Sequence, residues 1–141
     1  MDTLTQKYLF IPAKYKDTHL VYILNEFAGS SALIFTDTCV NAVKLYFLLT
    51  KLGHPTVALH GKLAQQKRLS ALNKFKSREK NILIATDVAS RGLDIPSVDL
   101  VVNYDVPQNA KNYIHRVGRT ARAGRSGNTI ILVTQYDIVL F

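Results

Sequence analysis

Short runs of apolar residues recur along the chain and are separated by longer stretches of mixed character. Five of these runs are continuous and rich in Val, Ile and Leu, at residues 32–35, 57–59, 82–85, 100–102 and 130–133. Continuous apolar runs are typical of parallel strands whose two faces are both covered by helices. A sixth run, residues 8–11, lies directly before Pro12 and predicts a strand at the edge of the sheet.

The stretches between these runs predict helices at residues 17–27, 38–52, 64–77 and 109–119. Asp17 and Asn109 are predicted N-caps, because short polar side chains accept hydrogen bonds from the first turn of a helix. For Asp37 and Thr38, capping is favoured over contact with a ligand. Strands that alternate with helices predict an α/β domain, an open parallel β-sheet with helices on both faces.

The composition predicts a globular domain that binds an anionic partner. The 141 residues fit one domain, and 48% hydrophobic with 20% charged residues argues against disorder. Lys and Arg outnumber Asp and Glu by 18 to 10, which favours nucleic acid or an acidic surface as partner. The single cysteine excludes an intrachain disulfide and favours the cytosol or nucleus. We expect no signal peptide and no membrane, a linker at residues 1–5 and the domain at residues 6–141.

The segment at residues 85–94 follows a predicted strand and has no helical apolar stripe. Ligands bind at the carboxyl ends of parallel strands, and loops on a buried scaffold concentrate binding residues. Gly92 allows close approach of a ligand to the backbone, and Asp94 offers a carboxylate for ribose hydroxyls. The alternative is a salt bridge from Asp87 or Asp94 to Arg91 that only shapes the loop. The residues alone give both interpretations equal weight.

The segment HRVGRTAR at residues 115–122 is the strongest local signal. In a continuous helix, one stripe is polar and consists of His115, Arg119 and Arg122. The other stripe is apolar, is expected to face the sheet, and consists of Ile114, Val117 and Ala121. Arginine suits forked recognition of phosphate, although a solvated basic helix end is the alternative. Arg116 lies in neither stripe and is left out of the predicted site. Four arginines within ten residues repel one another, so phosphate or nucleic acid is the favoured partner.

The sequence contains no GxxxxGK[ST] loop, so we do not expect the chain to bind a triphosphate alone. It also lacks an adjacent acidic pair at a strand end of the kind that holds magnesium in ATPases. Arginines without a nucleotide-binding loop imply a site shared with another domain, which we expect before Met1. Arg68, near the turn at His60 and Gly61, is a candidate contact to a nucleic-acid backbone.

Taken together, these segments resemble the motifs of DEAD-box RNA helicases. Residues 85–94 resemble motif V, residues 115–122 resemble motif VI, and residues 32–38 resemble motif IV. LHG at residues 59–61, followed by Gln65 and Arg68, resembles the HG turn and the QxxR element. The motifs occur in the family's order and cover nearly the whole chain. Residues 7–12 and 136–137 resemble the ribosomal-RNA-processing branch of the family.

The resemblance implies the second RecA-like domain of a two-domain, ATP-driven motor. It assigns Arg119 and Arg122 to catalysis, as arginines that reach the γ-phosphate when the domains close. It assigns nucleotide binding to the same arginines, to Gly92 and to Asp94, which binds the ribose. RNA contacts are assigned to Gly61, Arg68 and Thr86, and His115 matches a position that couples the RNA and ATP sites.

The same resemblance implies ATP with Mg²⁺ as cofactor, bound mainly by the missing N-terminal domain. The implied partners are RNA, that N-terminal domain and protein regulators, and the implied location is the nucleus, especially the nucleolus. The isolated domain is expected to be inactive. Two other hypotheses stay open: a stand-alone basic RNA-binding module without ATP turnover, and a platform for protein interactions.

Overall fold

A computed structural model of the chain describes residues 3–119 and 126–138. Within these ranges the strands are β1 Thr3–Phe10, β2 Ala32–Thr36, β3 Thr56–Leu59, β4 Ile82–Thr86, β5 Leu100–Asn103 and β6 Ser126–Val133. The helices are α1 Lys16–Glu26, α2 Cys39–Lys51, α3 Gln65–Lys76, α4 Asp87–Ser90 and α5 Ala110–Val117. A short 3-10 turn at Ala13–Tyr15 precedes α1. In these ranges no helix is long and apolar enough to span a membrane.

All six strands belong to one sheet, in the order β1-β6-β5-β2-β4-β3, and every neighbouring pair is parallel. In the centre, Ile34 of β2 is paired with Ile84 of β4 on one side and Val102 of β5 on the other. The predicted parallel sheet is confirmed, and the run before Pro12 forms the edge strand β1. The second edge of the sheet is β3.

Helices cover the sheet on both faces, as the continuous apolar runs predict. On one face, Leu20 of α1 and Leu45 of α2 pack in a cluster with Ile34. On the other face, Leu72 and Phe75 of α3 belong to a cluster with the inward side chains of β2, β3 and β4. Side chains at adjacent positions of one strand therefore enter opposite cores. Complete burial of a Val, Leu, Ile or Phe side chain contributes about 1.5–3 kcal/mol to the free energy of unfolding.

Two of the predicted N-caps are confirmed. The hydroxyl oxygen of Thr38 accepts from the Asn41 amide at 3.1 Å, and the side-chain oxygen of Asn109 accepts from the Asn112 amide at 2.8 Å. The N-cap of α1 is Tyr15, so the predicted cap at Asp17 is wrong. Asp17 lies in the first turn, where its carboxylate accepts from the Tyr104 hydroxyl at 2.6 Å.

β1 begins at Thr3, so residues 3–5 of the predicted linker take part in the sheet, paired with the first residues of β6. Residues 85–94 are also more regular than predicted, because α4 forms one helical turn directly after β4. That turn has no apolar stripe of its own, since two of its four residues, Asp87 and Ser90, are buried polar residues. Helical periodicity could not predict so short an element.

Candidate functional site

A buried arginine organises the carboxyl edge of the sheet. Arg116 of α5 has 0% of its surface exposed. Its Nε donates to Asp87 Oδ1 at 2.7 Å and its Nη2 donates to Asp87 Oδ2 at 2.5 Å. Its Nη1 donates to Asn103 Oδ1 at 3.1 Å and to the Asp105 carbonyl at 2.6 Å. One side chain thus joins α5 to the ends of β4 and β5.

The same guanidinium also reaches the end of β2. Arg116 Nη2 lies 3.6 Å from Asp37 Oδ1, and the guanidinium carbon lies 5.1 Å from the centre of the Phe35 ring. Burial and the charge of Asp105 raise the pKa of Asp37, against the opposing influence of Arg116. Because an unpaired buried charge is costly, the fork-shaped pairing with Asp87 is what makes this burial tolerable.

α5 therefore does not face the sheet with the predicted apolar stripe. Ile114 is 69% exposed, whereas Asn112 and Arg116 are buried. The prediction that Ile114 faces the core is wrong, because the buried side of α5 contacts polar groups such as Asp87 and Asn103. The side chain of α5 that packs against a small apolar cluster is Tyr113. The structure does not describe the side chain of Val117, and Ala121 lies outside the described residues.

Arg116 and Asn112 are the buried residues of this edge that sequence reasoning missed. Asn112 Oδ1 accepts from Arg91 Nη2, which links α5 to the loop after α4. The charge pattern was an available signal. An aspartate at a strand end, position 87, needs a cation at the same edge of the sheet, and Arg116 is a candidate in the sequence. The alternative interpretation of the loop, a salt bridge from Arg91 to Asp87 or Asp94, is wrong, because neither aspartate is the partner of Arg91.

His115 is partly buried and lies at the border between the buried face and the exposed face of α5. Its ring meets the Phe35 ring edge-on, with centres 6.1 Å apart. Burial and the charge of Arg119 lower the pKa of His115, although Asp87 opposes the shift. Among the described residues, no hydrogen-bond partner faces its buried Nδ1. His115 is consequently neutral at pH 7 and electrostatically linked to both arginine and aspartate neighbours.

Arg119 follows the end of α5 and lies against the segment after residue 94. Its carbonyl accepts from the Val98 amide at 2.8 Å, and its Nη1 lies 3.5 Å from the Ile95 carbonyl. Its amide donates to the Arg116 carbonyl at 3.2 Å. The backbone of Arg119 is thereby held both to the buried arginine and to the loop that carries Asp94. Arg122, the other predicted catalytic arginine, lies outside the described residues.

Gly61 and Thr86 line one cleft of about 280 Å³ at the carboxyl edge, together with residues of α4 and α5. Thr86 is buried at the end of β4, and Gly61 follows β3. A Cβ atom at Gly61 would meet nothing within 4 Å, so the cleft stays open on that side. Arg68 Nη2 donates to the Gly61 carbonyl at 2.8 Å and its Nε donates to the Leu63 carbonyl at 3.1 Å, which fixes this turn.

Gly92 and Asp94 lie on the loop that faces Arg119. Gly92 has a φ of 75°, a left-handed conformation that residues with a side chain adopt at a cost. The Asp94 side chain is 98% exposed, and its Oδ2 lies 3.8 Å from Lys76 Nζ. An exposed carboxylate of this kind is available for hydroxyl donors, since a surface ion pair at that distance is weak.

The structure thus brings the predicted residues together in two groups. Gly61 and Thr86 line the cleft, and Arg68 is hydrogen-bonded to Gly61. Gly92 and Asp94 lie on the loop after α4, and Arg119 contacts the residues that follow them, Ile95 and Val98. The arrangement places Arg91 in the lining of the cleft and Arg119 against the segment that follows Asp94.

The fold and this edge define a RecA-like helicase domain. The helicase conserved C-terminal domain family matches residues 15–124. The chain therefore belongs to this family, and within it to the C-terminal domains of DEAD-box RNA helicases, as the following relatives establish.

The chain is 62% identical, over all 141 residues, to the probable ATP-dependent RNA helicase DDX47 of Mus musculus. It is 60% identical, over the same length, to the ATP-dependent rRNA helicase rrp3 of Botryotinia fuckeliana. It spans 31% of the first protein and 29% of the second. The chain therefore corresponds to somewhat less than a third of each of these relatives.

Solved structures of DEAD-box proteins have the same fold. The E. coli protein SrmB, bound to regulator of ribonuclease activity A, matches with a TM-score of 0.89 and 35% identity over 99% of this chain and 82% of that one. A DEAD-box protein of Methanococcus jannaschii matches with a TM-score of 0.91 and 33% identity over 98% of this chain and 38% of that one. S. cerevisiae Dbp5, bound to RNA and ADP BeF3, matches with a TM-score of 0.85 and 36% identity over 99% of this chain and 38% of that one.

Proposed function

We propose that this chain is the C-terminal half of the motor of an ATP-dependent DEAD-box RNA helicase. In this role it supplies arginines to a nucleotide held by a preceding domain and holds the backbone of an RNA strand. The observation that carries the proposal is the attachment of Arg119 to both Arg116 and the loop at residues 95–98. Movement of that loop is thereby linked to the position of an arginine suited to phosphate.

The nucleotide part of the proposal rests on Arg119, Arg122, Gly92 and Asp94. Asp94 is exposed and free to accept from ribose hydroxyls, and Gly92 leaves space at the backbone. Phosphoryl transfer depends on positioning and on neutralising charge, and arginine does both. The relatives of this chain are named as ATP-dependent enzymes.

We place the triphosphate and Mg²⁺ mainly in the preceding domain. Within residues 3–119 and 126–138, no group of three or more His, Cys, Asp and Glu side chains is arranged to hold a metal ion. Mg²⁺ would neutralise charge on the phosphates there. The contribution of this chain is to close its arginines onto the exposed end of the nucleotide.

The RNA part of the proposal rests on the cleft at the carboxyl edge. Gly61 and Thr86 line it, and Arg68 holds its rim. Contacts of this kind reach phosphate and sugar rather than base edges, so binding should depend strongly on salt and little on sequence. The charges of Arg119 and of Asp87, which lines the cleft, both act on the pKa of His115, consistent with its proposed role in coupling the two ligands.

We further propose a function in ribosomal RNA processing and a location in the nucleus, chiefly the nucleolus. Relatives 59–62% identical to this chain are named ATP-dependent rRNA helicases. Protein regulators are additional proposed partners. That idea is consistent with the regulator complex of SrmB.

RNA-stimulated ATP hydrolysis by the full-length protein tests the proposal. Arg119→Ala and Arg122→Ala should each lower the rate by about 10³-fold or more, the range found for arginines of this type. Arg78→Ala is the matched control, because Arg78 lies before β4 at the opposite edge of the sheet. Unchanged hydrolysis in both site variants would contradict the catalytic role and favour an RNA-binding module without ATP turnover.

The isolated 141-residue chain offers a second test. It should show no ATP hydrolysis and only weak RNA binding. A robust rate from this chain alone would overturn the shared-site proposal. Normal hydrolysis in the full-length variants, combined with lost binding of a protein regulator, would instead favour the interaction platform.

A further inference from the structure

The edge strand β3 lies at the bottom of a groove that the proposed helicase cycle does not use. The groove has a volume of about 420 Å³ and is flanked by α2 on one side and α3 on the other. Its floor is Val57 and Ala58, and β3 has a hydrogen-bonded neighbour, β4, on one side only. Unpaired strand edges of this kind can accept an additional strand.

The backbone of Ala58 faces this groove. Ile82 of β4 donates its amide to the Pro55 carbonyl at 3.2 Å and is paired with Thr56. In a parallel ladder, alternate residues direct both backbone groups to the same neighbour. Val57 and Leu59 therefore bond to β4, and the N–H and C=O of Ala58 point away from it. Ala58 thus presents one donor and one acceptor along the free edge.

The α2 wall of the groove is apolar although it faces solvent. Val40, Val43 and Phe47 recur at helical spacing, and Phe47 is 64% exposed. Val43, Tyr46 and Phe47 line the groove directly. An exposed apolar stripe beside an open strand edge is a mark of a docking surface.

The α3 wall is polar and basic. Lys67, Ser70 and Lys74 lie on one face of α3, and both lysines are exposed. Among the described residues that line the groove, none is acidic, and no ion pair of Lys67 or Lys74 is found. The described lining of the groove thus carries positive charge from these two lysines and no negative charge, which is complementary to an acidic partner.

We propose that this groove binds an extended acidic segment of a partner protein, which adds to β3 as a seventh strand. Successive side chains of a strand point to opposite faces of the sheet. The segment should therefore alternate apolar residues, directed to Val43 and Phe47, with Asp or Glu, directed to Lys67 and Lys74. The apolar wall, together with the outward N–H and C=O of Ala58, favours a peptide over RNA.

Fluorescence anisotropy with a labelled short peptide, in which Asp alternates with Val and Phe, tests the proposal on the 141-residue chain. Lys67→Glu with Lys74→Glu, and separately Phe47→Ser, should each weaken binding by about tenfold or more. Lys51→Glu and Tyr22→Ser are matched controls, because they change an exposed lysine and an exposed aromatic residue outside the groove. Equal binding by site and control variants would overturn the proposal.

Amide hydrogen exchange separates strand addition from contact by side chains alone. The peptide should slow exchange at Ala58, whereas exchange at Val57, whose amide bonds to β4, should change less. Ala58→Pro should abolish binding, since proline removes the outward donor at a position that an edge strand tolerates. Exchange at Ala58 that is unaffected by saturating peptide would exclude an added strand.

Two other occupants are outcomes of the same experiments, and either would contradict the proposal. Single-stranded RNA that protects Ala58 and loses affinity in Phe47→Ser would make the groove a nucleic-acid site. A dimer in sedimentation that Ala58→Pro dissociates would assign the edge to a second copy of this chain.

Discussion

Arg116 and Asp87 form a buried, two-bond ion pair that fastens the last turn of α5 to the first turn after β4. Residues predicted for RNA and residues predicted for the nucleotide lie on the elements that this pair joins. The pair therefore fixes the relative position of the two sets of predicted residues.

Arg116→Ala should lower the free energy of unfolding by about 3–5 kcal/mol, because Asp87 would remain as an uncompensated buried charge. Urea denaturation of the 141-residue chain measures the change. Lys44→Ala is the matched control: its ammonium lies 3.9 Å from Asp17 on the surface, a pair worth at most about 1 kcal/mol. A loss in Arg116→Ala no larger than in the control would show that the buried pair is not stabilising.

The free energy of unfolding should decrease as the pH is lowered, through the titration of His115. Burial and Arg119 lower the pKa of His115 below its ordinary value of 6.5, so the unfolded chain binds a proton at a higher pH than the folded chain does. The stability present above about pH 6.5 is therefore lost as the pH falls towards the folded-state pKa. Titration of the His115 ring by NMR checks the sign, and a midpoint above the ordinary histidine value would contradict it.

Gly92→Ala and Gly61→Ala should behave differently although both positions have room for a Cβ atom. Gly92 has a φ of 75°, so alanine there should cost about 1–2 kcal/mol of stability. Gly61 has no positive φ, so alanine there should leave the free energy of unfolding nearly unchanged. Urea denaturation of the two variants makes the comparison. Equal costs would exclude backbone strain as the cause.

Ile114→Ser should change the stability of the 141-residue chain by no more than about 0.5 kcal/mol, because Ile114 is exposed. Leu72→Ala, on the buried face of α3, should cost about 2–5 kcal/mol by leaving a cavity. Thermal unfolding of both variants gives the comparison. A large loss in Ile114→Ser would restore the apolar stripe predicted from helical periodicity.

The sheet was predictable because its strands are buried on both faces. Ile34 and Ile84 belong to continuous apolar runs that have few other structural meanings, and the helices between them end near the predicted positions. The caps at Thr38 and Asn109 depend on local chemistry, which a sequence displays directly.

The orientation of α5 was not predictable from periodicity. A helical wheel assumes that the buried face is apolar, whereas here Arg116 and Asn112 are buried against polar strand ends. The partner of Arg116 lies 29 positions earlier in the sequence, so only the assembled sheet brings it near. The candidates at positions 68, 92, 94 and 119 came from the residues themselves, and those at 61 and 86 came from the resemblance in motifs. The roles of all six stay predictions.

The contacts of Arg116 have a consequence for the order in which the molecule opens. One guanidinium contacts side chains or carbonyls at positions 37, 87, 103 and 105, which lie at the ends of three different strands or just after them. Withdrawal of α5 would remove the bonds of this guanidinium from all three strand ends at once, while the Asp105 carboxylate would keep its bonds to Lys16 and the Asp37 amide. We therefore expect the carboxyl edge of the sheet to unfold locally as one cooperative unit with a single opening free energy. The apolar strands behind it should remain protected from hydrogen exchange.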